Sequence, residues 1–163
     1  ARKFGWVKLL RGLGALGNLG KFGPEPLTPE FTLEKFQEIL KKNNRPVKII
    51  LMDQEKISGI GNIYANDALF LAGIDPRRPA KSLRVSECKS LKNAIETVLK
   101  RGLEYGGASD QYYLNAKGEK GFYQEHFLVY GLQGKPCKNH CGGLIKRIVV
   151  GGRGTFICPK CQK

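Results

Sequence analysis

Four of the five cysteines in this chain stand in two pairs near its end, Cys137 with Cys141 and Cys158 with Cys161. Between the pairs lie two β-prone segments, "LIKRIVV" and "TFI", around the glycine-rich turn "GGRG". A hairpin of this kind brings two thiolates from each end into one place, as a tetrahedral zinc site requires. The spacing therefore predicts one Zn²⁺, which is structural because four protein ligands leave no position for water. So small a hairpin needs the metal to fold.

Two other roles for these cysteines stay open. The four thiols could form two disulfides, and His140, inside the first pair, could replace Cys141 in a Cys3His site. The chain shows no signal-peptide pattern, and apolar runs such as "VKIILM" are far shorter than the roughly twenty residues that cross a bilayer. We therefore expect a cytoplasmic, reducing environment and no membrane partner, which favours zinc over disulfides. Cys88 and His126 have no evident catalytic partner and are predicted to be structural.

The charge of the chain points to a polyanionic partner. Its 28 Lys and Arg residues outnumber its 14 Asp and Glu residues, which leaves a net charge of +14. Nucleic acid is the first partner to test, although a ribosomal or acidic-membrane partner would fit the same charge. Charge alone indicates a class of partner and no reaction.

Apolar spacing predicts a mainly helical body. One helix follows a cap at Thr28 or Thr32, a second begins near Asn62, and a third follows Ser82 or Ser86. A chain of 163 residues with 41% hydrophobic content can bury one compact core and a small metal-stapled appendage. The predicted class is α+β, with a strand at 1–12, a linker at 13–27, a helical domain at 28–120 and a zinc-finger β-hairpin at 121–163.

Two further motifs could contact phosphates. Gly59 and Gly61 allow close approach of the backbone, and Asn62 opens a helix whose free amides favour an anion, although a plain tight turn is the alternative. The motif lacks the features of dinucleotide and nucleotide-triphosphate loops, so we expect no nucleotide cofactor. Arg153, flanked by glycines at the predicted hairpin tip, could reach a phosphate bidentately or could simply be solvated.

A basic run extends from Lys41 to Lys48 and includes Lys42 and Arg45. Runs of this kind are most often a solvated face.

Taken in order, the motifs "RKFG", "LGKFGPEPL", "LMDQEKISGIGNIYANDALFLAGIDPRRPA", "YGG", "QEHFLVYGLQGKPC" and "GGRGTFICPKCQK" resemble the C-terminal portion of bacterial formamidopyrimidine-DNA glycosylases. This base-excision repair family also includes endonuclease VIII-like enzymes, and the resemblance spans nearly the whole chain. It implies a helix-two-turns-helix domain around Asn62 and a zinc-finger hairpin that together grip damaged double-stranded DNA. It also implies a bacterial protein, cytoplasmic and associated with the nucleoid, which we expect to be a monomer.

The resemblance assigns roles to five residues. Asn62 and Arg153 would bind the phosphates beside the everted lesion, and Arg153 would also donate a proton in the second elimination. Arg2 and Phe4 would fill the gap left by the flipped nucleotide. Lys48 matches a lysine near the lesion site.

The chain departs from the family pattern in its catalytic residues. The family's nucleophile is an N-terminal proline amine followed by a glutamate, and Ala1 does not match it. Pro24 and Glu25 form the same dipeptide, but an internal proline has no free amine. We therefore expect this chain to be the DNA-binding part of a bifunctional glycosylase and AP lyase that removes oxidised purines, with an N-terminal β-sandwich missing, and to bind without cutting. The rivals are a non-enzymatic zinc-ribbon DNA-binding module and an RNA-binding ribosomal accessory protein.

Overall fold

The structure is a computed structural model that describes residues 22–108, 118 and 120–163. The strand predicted at 1–12, with Arg2 and Phe4, and the linker as far as residue 21 lie outside the described residues. The predicted domain boundaries at 12, 27 and 120 stay predictions.

The helical part begins with α1 (Leu33–Lys41) and the short helix α2 (Val47–Leu51). Of the two caps predicted for α1, Thr32 is the one used, because its side chain accepts a hydrogen bond from the Lys35 amide. Pro46 stands immediately before α2, where its missing N–H costs nothing because the first amides of a helix have no intrahelical acceptor.

Two consecutive turns connect α2 to α3 (Asn62–Leu71). The first turn is closed by the carbonyl of Asp53, which accepts hydrogen bonds from the Lys56 and Ile57 amides, both at 2.9 Å. The second contains Gly59 and is held by Gln54, whose side chain bonds the Gly59 amide at 2.9 Å and the Ile60 carbonyl at 3.0 Å. Helix, two turns and helix therefore follow one another as the resemblance implies.

The longest helix is α4 (Val85–Glu104), which a 3-10 helix at Ala80–Ser82 precedes. The predicted start at Ser82 or Ser86 is wrong, because Arg84 is the N-cap residue. The Arg84 amide donates a hydrogen bond to the carboxylate of Glu87, three residues later in the chain, at 2.8 Å. This acidic side chain takes the place of the serine hydroxyl that the prediction assumed.

The C-terminal part holds a two-stranded antiparallel sheet, β1 (Lys146–Val150) and β2 (Arg153–Ile157), which pairs Val150 with Arg153. The turn consists of Gly151 and Gly152, both with positive φ, as a two-residue hairpin turn requires. Gly151 is also confined by packing, since a Cβ there would lie 2.1 Å from Cδ1 of Ile49 in α2. Arg153 is therefore the first residue of β2 beside the turn, one step from the predicted tip.

Two apolar clusters make the interior, and α3 lies between them. Ala65, Ala68 and Leu69 belong to the helical core, whereas Phe70 packs with Val129 and the cysteines of the finger. All six residues from 65 to 70 are buried, which is typical of a helix enclosed on every side. The predicted fold class, a helical domain followed by a hairpin with a cysteine cluster, is confirmed.

The carboxylate of Asp67 joins the helical domain to the segment that leads into the hairpin. It accepts hydrogen bonds from the backbone amides of Leu128, Val129 and Tyr130, at 3.0 to 3.2 Å, and from the Tyr123 hydroxyl at 3.2 Å. Asp67 has no exposed surface, and burial raises its pKa against the opposing effect of the four donors. One side chain thus satisfies three successive amides of a buried or half-buried segment.

None of the helices in the described part of the chain is both long enough and apolar enough to cross a bilayer.

Replacing Asp67 with Asn tests this junction. An amide offers one acceptor and turns two N–H groups toward backbone donors, so we expect a loss of about 2–4 kcal/mol in the free energy of urea unfolding. Asp53→Asn is the matched control, because the Asp53 carboxylate pairs with Arg45, whose side chain is 56% exposed. That exchange should cost less than about 1 kcal/mol. Equal losses in the two variants would contradict the role given to Asp67.

A second prediction concerns acid stability. The guanidinium of Arg78, which bonds both oxygens of Glu87 at 2.7 and 3.1 Å, lowers the Glu87 pKa from 4.5 to about 2. The stabilisation is therefore fully present above pH 4.5 and is lost as the pH falls from 4.5 through 2. We expect Glu87→Gln to remove about 1–3 kcal/mol of pH dependence in this window, measured by urea unfolding at a series of pH values. A wild-type pH dependence that the substitution leaves intact would argue against this assignment.

Candidate metal centre and nucleic-acid interface

The four cysteines predicted as ligands lie together at the open end of the hairpin. Their Sγ atoms are all within 4.8 Å of one another, with 3.6 Å between Cys137 and Cys161 and 3.5 Å between Cys141 and Cys158. A tetrahedron with Zn–S bonds of about 2.3 Å has sulfur–sulfur edges of about 3.8 Å. The donor set and its spacing therefore fit one zinc ion.

The surroundings of the sulfur atoms also fit a metal. A Cβ at Gly143 would lie 3.0 Å from the Cys158 sulfur and 3.3 Å from that of Cys141, so the site needs glycine there. All four thiols are free, and no pair is joined by a disulfide. His140 has a positive φ and an exposed side chain, and it does not belong to the ligand group. The geometry thus favours four cysteines over the Cys3His alternative.

The second cysteine pair is fixed to the end of α3 through Gln162, which the sequence prediction missed. Its side chain accepts a hydrogen bond from the Cys158 amide at 2.8 Å and donates one to the Ile74 carbonyl at 2.9 Å. Gln162 is buried, so both bonds are shielded from water. A glutamine next to a metal ligand carries no sequence signal for such a role, because its partner Ile74 lies 88 residues away.

The first turn of α3 provides donors for an anion. Its N-cap, Gly61, is exposed, and no side chain in the described part of the chain caps this end of the helix. A Cβ at Gly61 would meet nothing within 4 Å, so packing within the chain does not explain the glycine. The open backbone amides and the helix dipole suit a phosphate group that approaches closely.

Asn62 and Arg153 are brought together although they lie far apart in the sequence. Nδ2 of Asn62 donates to the carbonyl of Gly154 at 3.2 Å, which holds β2 against the start of α3. The side chain of Arg153 is exposed beside this contact, and no ion-pair partner is assigned to it among the described residues. The exposed Arg153 is therefore held next to the start of α3, whose N-cap residue Gly61 is also exposed.

Lys48 lies inside the molecule, so its predicted place on a solvated basic face is wrong. Its side chain has no exposed surface, and Nζ donates to the Gly154 carbonyl at 3.0 Å and to Oγ1 of Thr155 at 2.6 Å. Burial, with a smaller contribution from Arg153, lowers its pKa to about 8. The ammonium group is enclosed by the protein, and the place near the lesion that the resemblance gives Lys48 stays a prediction.

The sequence predicts structural roles for Cys88 and His126. Cys88 is buried, as predicted, and burial raises the pKa of its thiol. The ring of His126 stacks on that of Tyr105, with 3.7 Å between the centroids. Asn66, which the sequence prediction missed, accepts a hydrogen bond from the Phe156 amide at 2.7 Å.

The fold and the two sites define a helix-two-turns-helix module joined to a four-cysteine zinc finger. The profile of the formamidopyrimidine-DNA glycosylase H2TH domain matches residues 22–113, and that of the zinc finger found in FPG and IleRS matches residues 134–163. This chain belongs to the formamidopyrimidine-DNA glycosylase family, and the predicted resemblance to its C-terminal portion is confirmed.

Known relatives agree with this assignment. The formamidopyrimidine-DNA glycosylase of Chloroflexus aggregans is 48% identical over 99% of this chain, and that of Bacillus subtilis is 43% identical over 99%. The chain spans 58% and 59% of the lengths of these two relatives.

Solved structures give the same result. The MutM (Fpg) protein of Thermus thermophilus superposes with a TM-score of 0.82 and 45% identity, over 87% of this chain and 54% of that one. Lactococcus lactis Fpg in complex with abasic-site DNA gives a TM-score of 0.80 and 37% identity, over 87% and 52%.

The metal centre predicts a defined zinc content. We expect the purified chain to contain about one zinc ion, measured by plasma mass spectrometry, and Cys158→Ser to bind it much more weakly. Cys88→Ala and His140→Ala should retain the ion, because neither residue belongs to the sulfur cluster. Loss of zinc from His140→Ala alone would instead favour the Cys3His site.

Proposed function

We propose that this chain is the DNA-binding part of a bifunctional DNA glycosylase and AP lyase that excises oxidised purines from duplex DNA. The observation that carries the proposal is the convergence of Asn62, the free amides of α3 and Arg153 on one exposed surface. This surface offers charge-assisted and backbone donors to the phosphates of a distorted strand. Solved structures of Lactococcus lactis Fpg in complex with abasic-site DNA and with Fapy-dG DNA support damaged DNA as the ligand.

In the proposed complex, Asn62 and Arg153 contact the phosphates beside the lesion. Arg153 would in addition act as a proton donor in the second elimination, as the family resemblance implies. Arg2 and Phe4 would fill the gap left by the everted nucleotide. The substrates that the resemblance favours are 8-oxoguanine and formamidopyrimidines, and the site of action is the bacterial nucleoid.

Catalysis in this proposal belongs to the whole protein. The nucleophile of the family is a proline amine, which none of the residues of this chain is expected to replace. We propose that the chain by itself binds as a monomer, uses no nucleotide cofactor and does not cleave. The zinc ion holds the finger in shape and takes no part in the chemistry.

Salt dependence and single substitutions test the binding surface. If about six phosphates are neutralised, a plot of the logarithm of affinity against the logarithm of salt concentration should have a slope of about −5. Each neutralised phosphate contributes roughly −0.9 to this slope. Arg153→Ala should weaken binding to a duplex with an abasic-site analogue about tenfold and make the slope less negative by about 0.9. The measurement is fluorescence anisotropy at several salt concentrations.

The matched control is Lys35→Ala, which removes an exposed cation from α1. It should change both the affinity and the salt slope less than Arg153→Ala does. A slope near zero would refute the electrostatic surface. Equal affinity for abasic duplex, intact duplex and single-stranded RNA would favour a zinc-ribbon module or a ribosomal accessory protein. Borohydride trapping of the full-length gene product on abasic-site DNA tests the lyase activity itself.

A further inference from the structure

Lys48 is unusual because it is a charged side chain with no exposed surface and no carboxylate partner in the described part of the chain. Lysine is almost never fully buried unless it is paired. Its two acceptors are a carbonyl oxygen and a hydroxyl, both in β2 and more than a hundred residues away in the sequence. The ammonium group is therefore directed at one short piece of backbone.

This piece of backbone is the one that carries Arg153. Nζ of Lys48 bonds Oγ1 of Thr155 at 2.6 Å, and this hydroxyl in turn donates to the Arg153 carbonyl at 3.0 Å. Nζ also bonds the Gly154 carbonyl, which receives a second hydrogen bond from Asn62. The carbonyls of Arg153 and Gly154 are thus both held from the helical domain, that of Arg153 through the Thr155 hydroxyl.

The same contacts cover the outer edge of β2, which β1 leaves unpaired. Gly154 presents its carbonyl to Lys48 and Asn62, and Phe156 presents its amide to Asn66. A free strand edge is commonly protected by a helix or loop, and here side chains of α2 and α3 do this. The protection fixes the strand in position as well as in register.

Stability alone does not account for a lysine at this place. Burial lowers its pKa to about 8, which shows that the enclosed charge is unfavourable, and the positive charge of Arg153 contributes to the shift. Replacing buried charged groups by apolar ones of similar volume is often neutral or stabilising. A role in positioning Arg153 would explain why a buried lysine is present despite the unfavourable burial of its charge.

We propose that Lys48 is a positioning residue that fixes the backbone of Arg153, so that the exposed guanidinium is held ready for a phosphate. This inference rests on the proposed function of the surface formed by Asn62 and Arg153. It differs from a direct contact between Lys48 and DNA, because the ammonium group is enclosed and already bonded.

The test is a double-mutant cycle with Lys48→Met and Arg153→Ala in the zinc-loaded chain. We expect Lys48→Met to fold with a urea midpoint at or above that of the wild type, and to bind the duplex with an abasic-site analogue about five- to tenfold more weakly. In the Arg153→Ala background, Lys48→Met should cause no further loss and no further change in the salt slope. Thr155→Val, which breaks the relay but keeps Lys48, should reproduce the weaker binding.

Three results would overturn the proposal. An additive loss, with a further change of about 0.9 in salt slope, would make Lys48 a direct phosphate contact. Unchanged affinity in Lys48→Met would remove the positioning role. Unfolding of Lys48→Met would assign the lysine to the fold itself.

A measurement without DNA separates this inference from the proposed function. The carbonyl carbon of Gly154 should titrate with a midpoint near the Lys48 pKa, about 8, in the NMR spectrum of the wild type and not in that of Lys48→Met. If Arg153→Ala leaves DNA affinity unchanged, the proposed function fails, whereas the carbonyl titration still decides whether Lys48 holds the strand. A Gly154 carbonyl shift that does not change with pH in the wild type would by itself contradict the proposed contact with Lys48.

Discussion

The arrangement of this molecule depends on one buried carboxylate. Asp67 accepts hydrogen bonds from three successive backbone amides and one phenol of the segment at 123–130. An ionised group without water is costly unless donors surround it, so this segment has little freedom to move away. Because the segment runs directly into the zinc finger, Asp67 fixes the point at which the chain leaves α3 and enters the finger.

The zinc site and the helical domain contribute different things to the finger. The four sulfur atoms close the open end of the hairpin, which has too small a core to fold alone. The helices fix its position, through Gln162 near the cysteines and through Lys48, Asn62 and Asn66 along β2. The result is that Arg153 and the first turn of α3 keep a constant relation, as recognition of a rigid and highly charged backbone requires.

Local patterns predicted a large part of this fold. Helical spacing gave α1, α3 and α4, and the two glycines between β-prone runs gave the hairpin, because both signals are read within a few residues. The start of α4 was predicted wrongly, since a serine hydroxyl was expected where the Glu87 carboxylate bonds the Arg84 amide. Lys48 was assigned to a solvated face because it belongs to a basic run in the sequence, whereas the partners that enclose it lie more than a hundred residues further on.

The sequence by itself determined the chemistry that is available: two cysteine pairs for a metal, a cationic surface, an open helix start at Asn62 and an arginine among glycines. It also determined the family, because the motifs occur in a fixed order along the chain. Only the tertiary structure decided which polar groups meet, namely Asp67 with the amides of 128–130 and Lys48 with the strand that carries Arg153. The physical reason is that a buried polar group must find its partner in space, and no local periodicity records a partner brought close by folding.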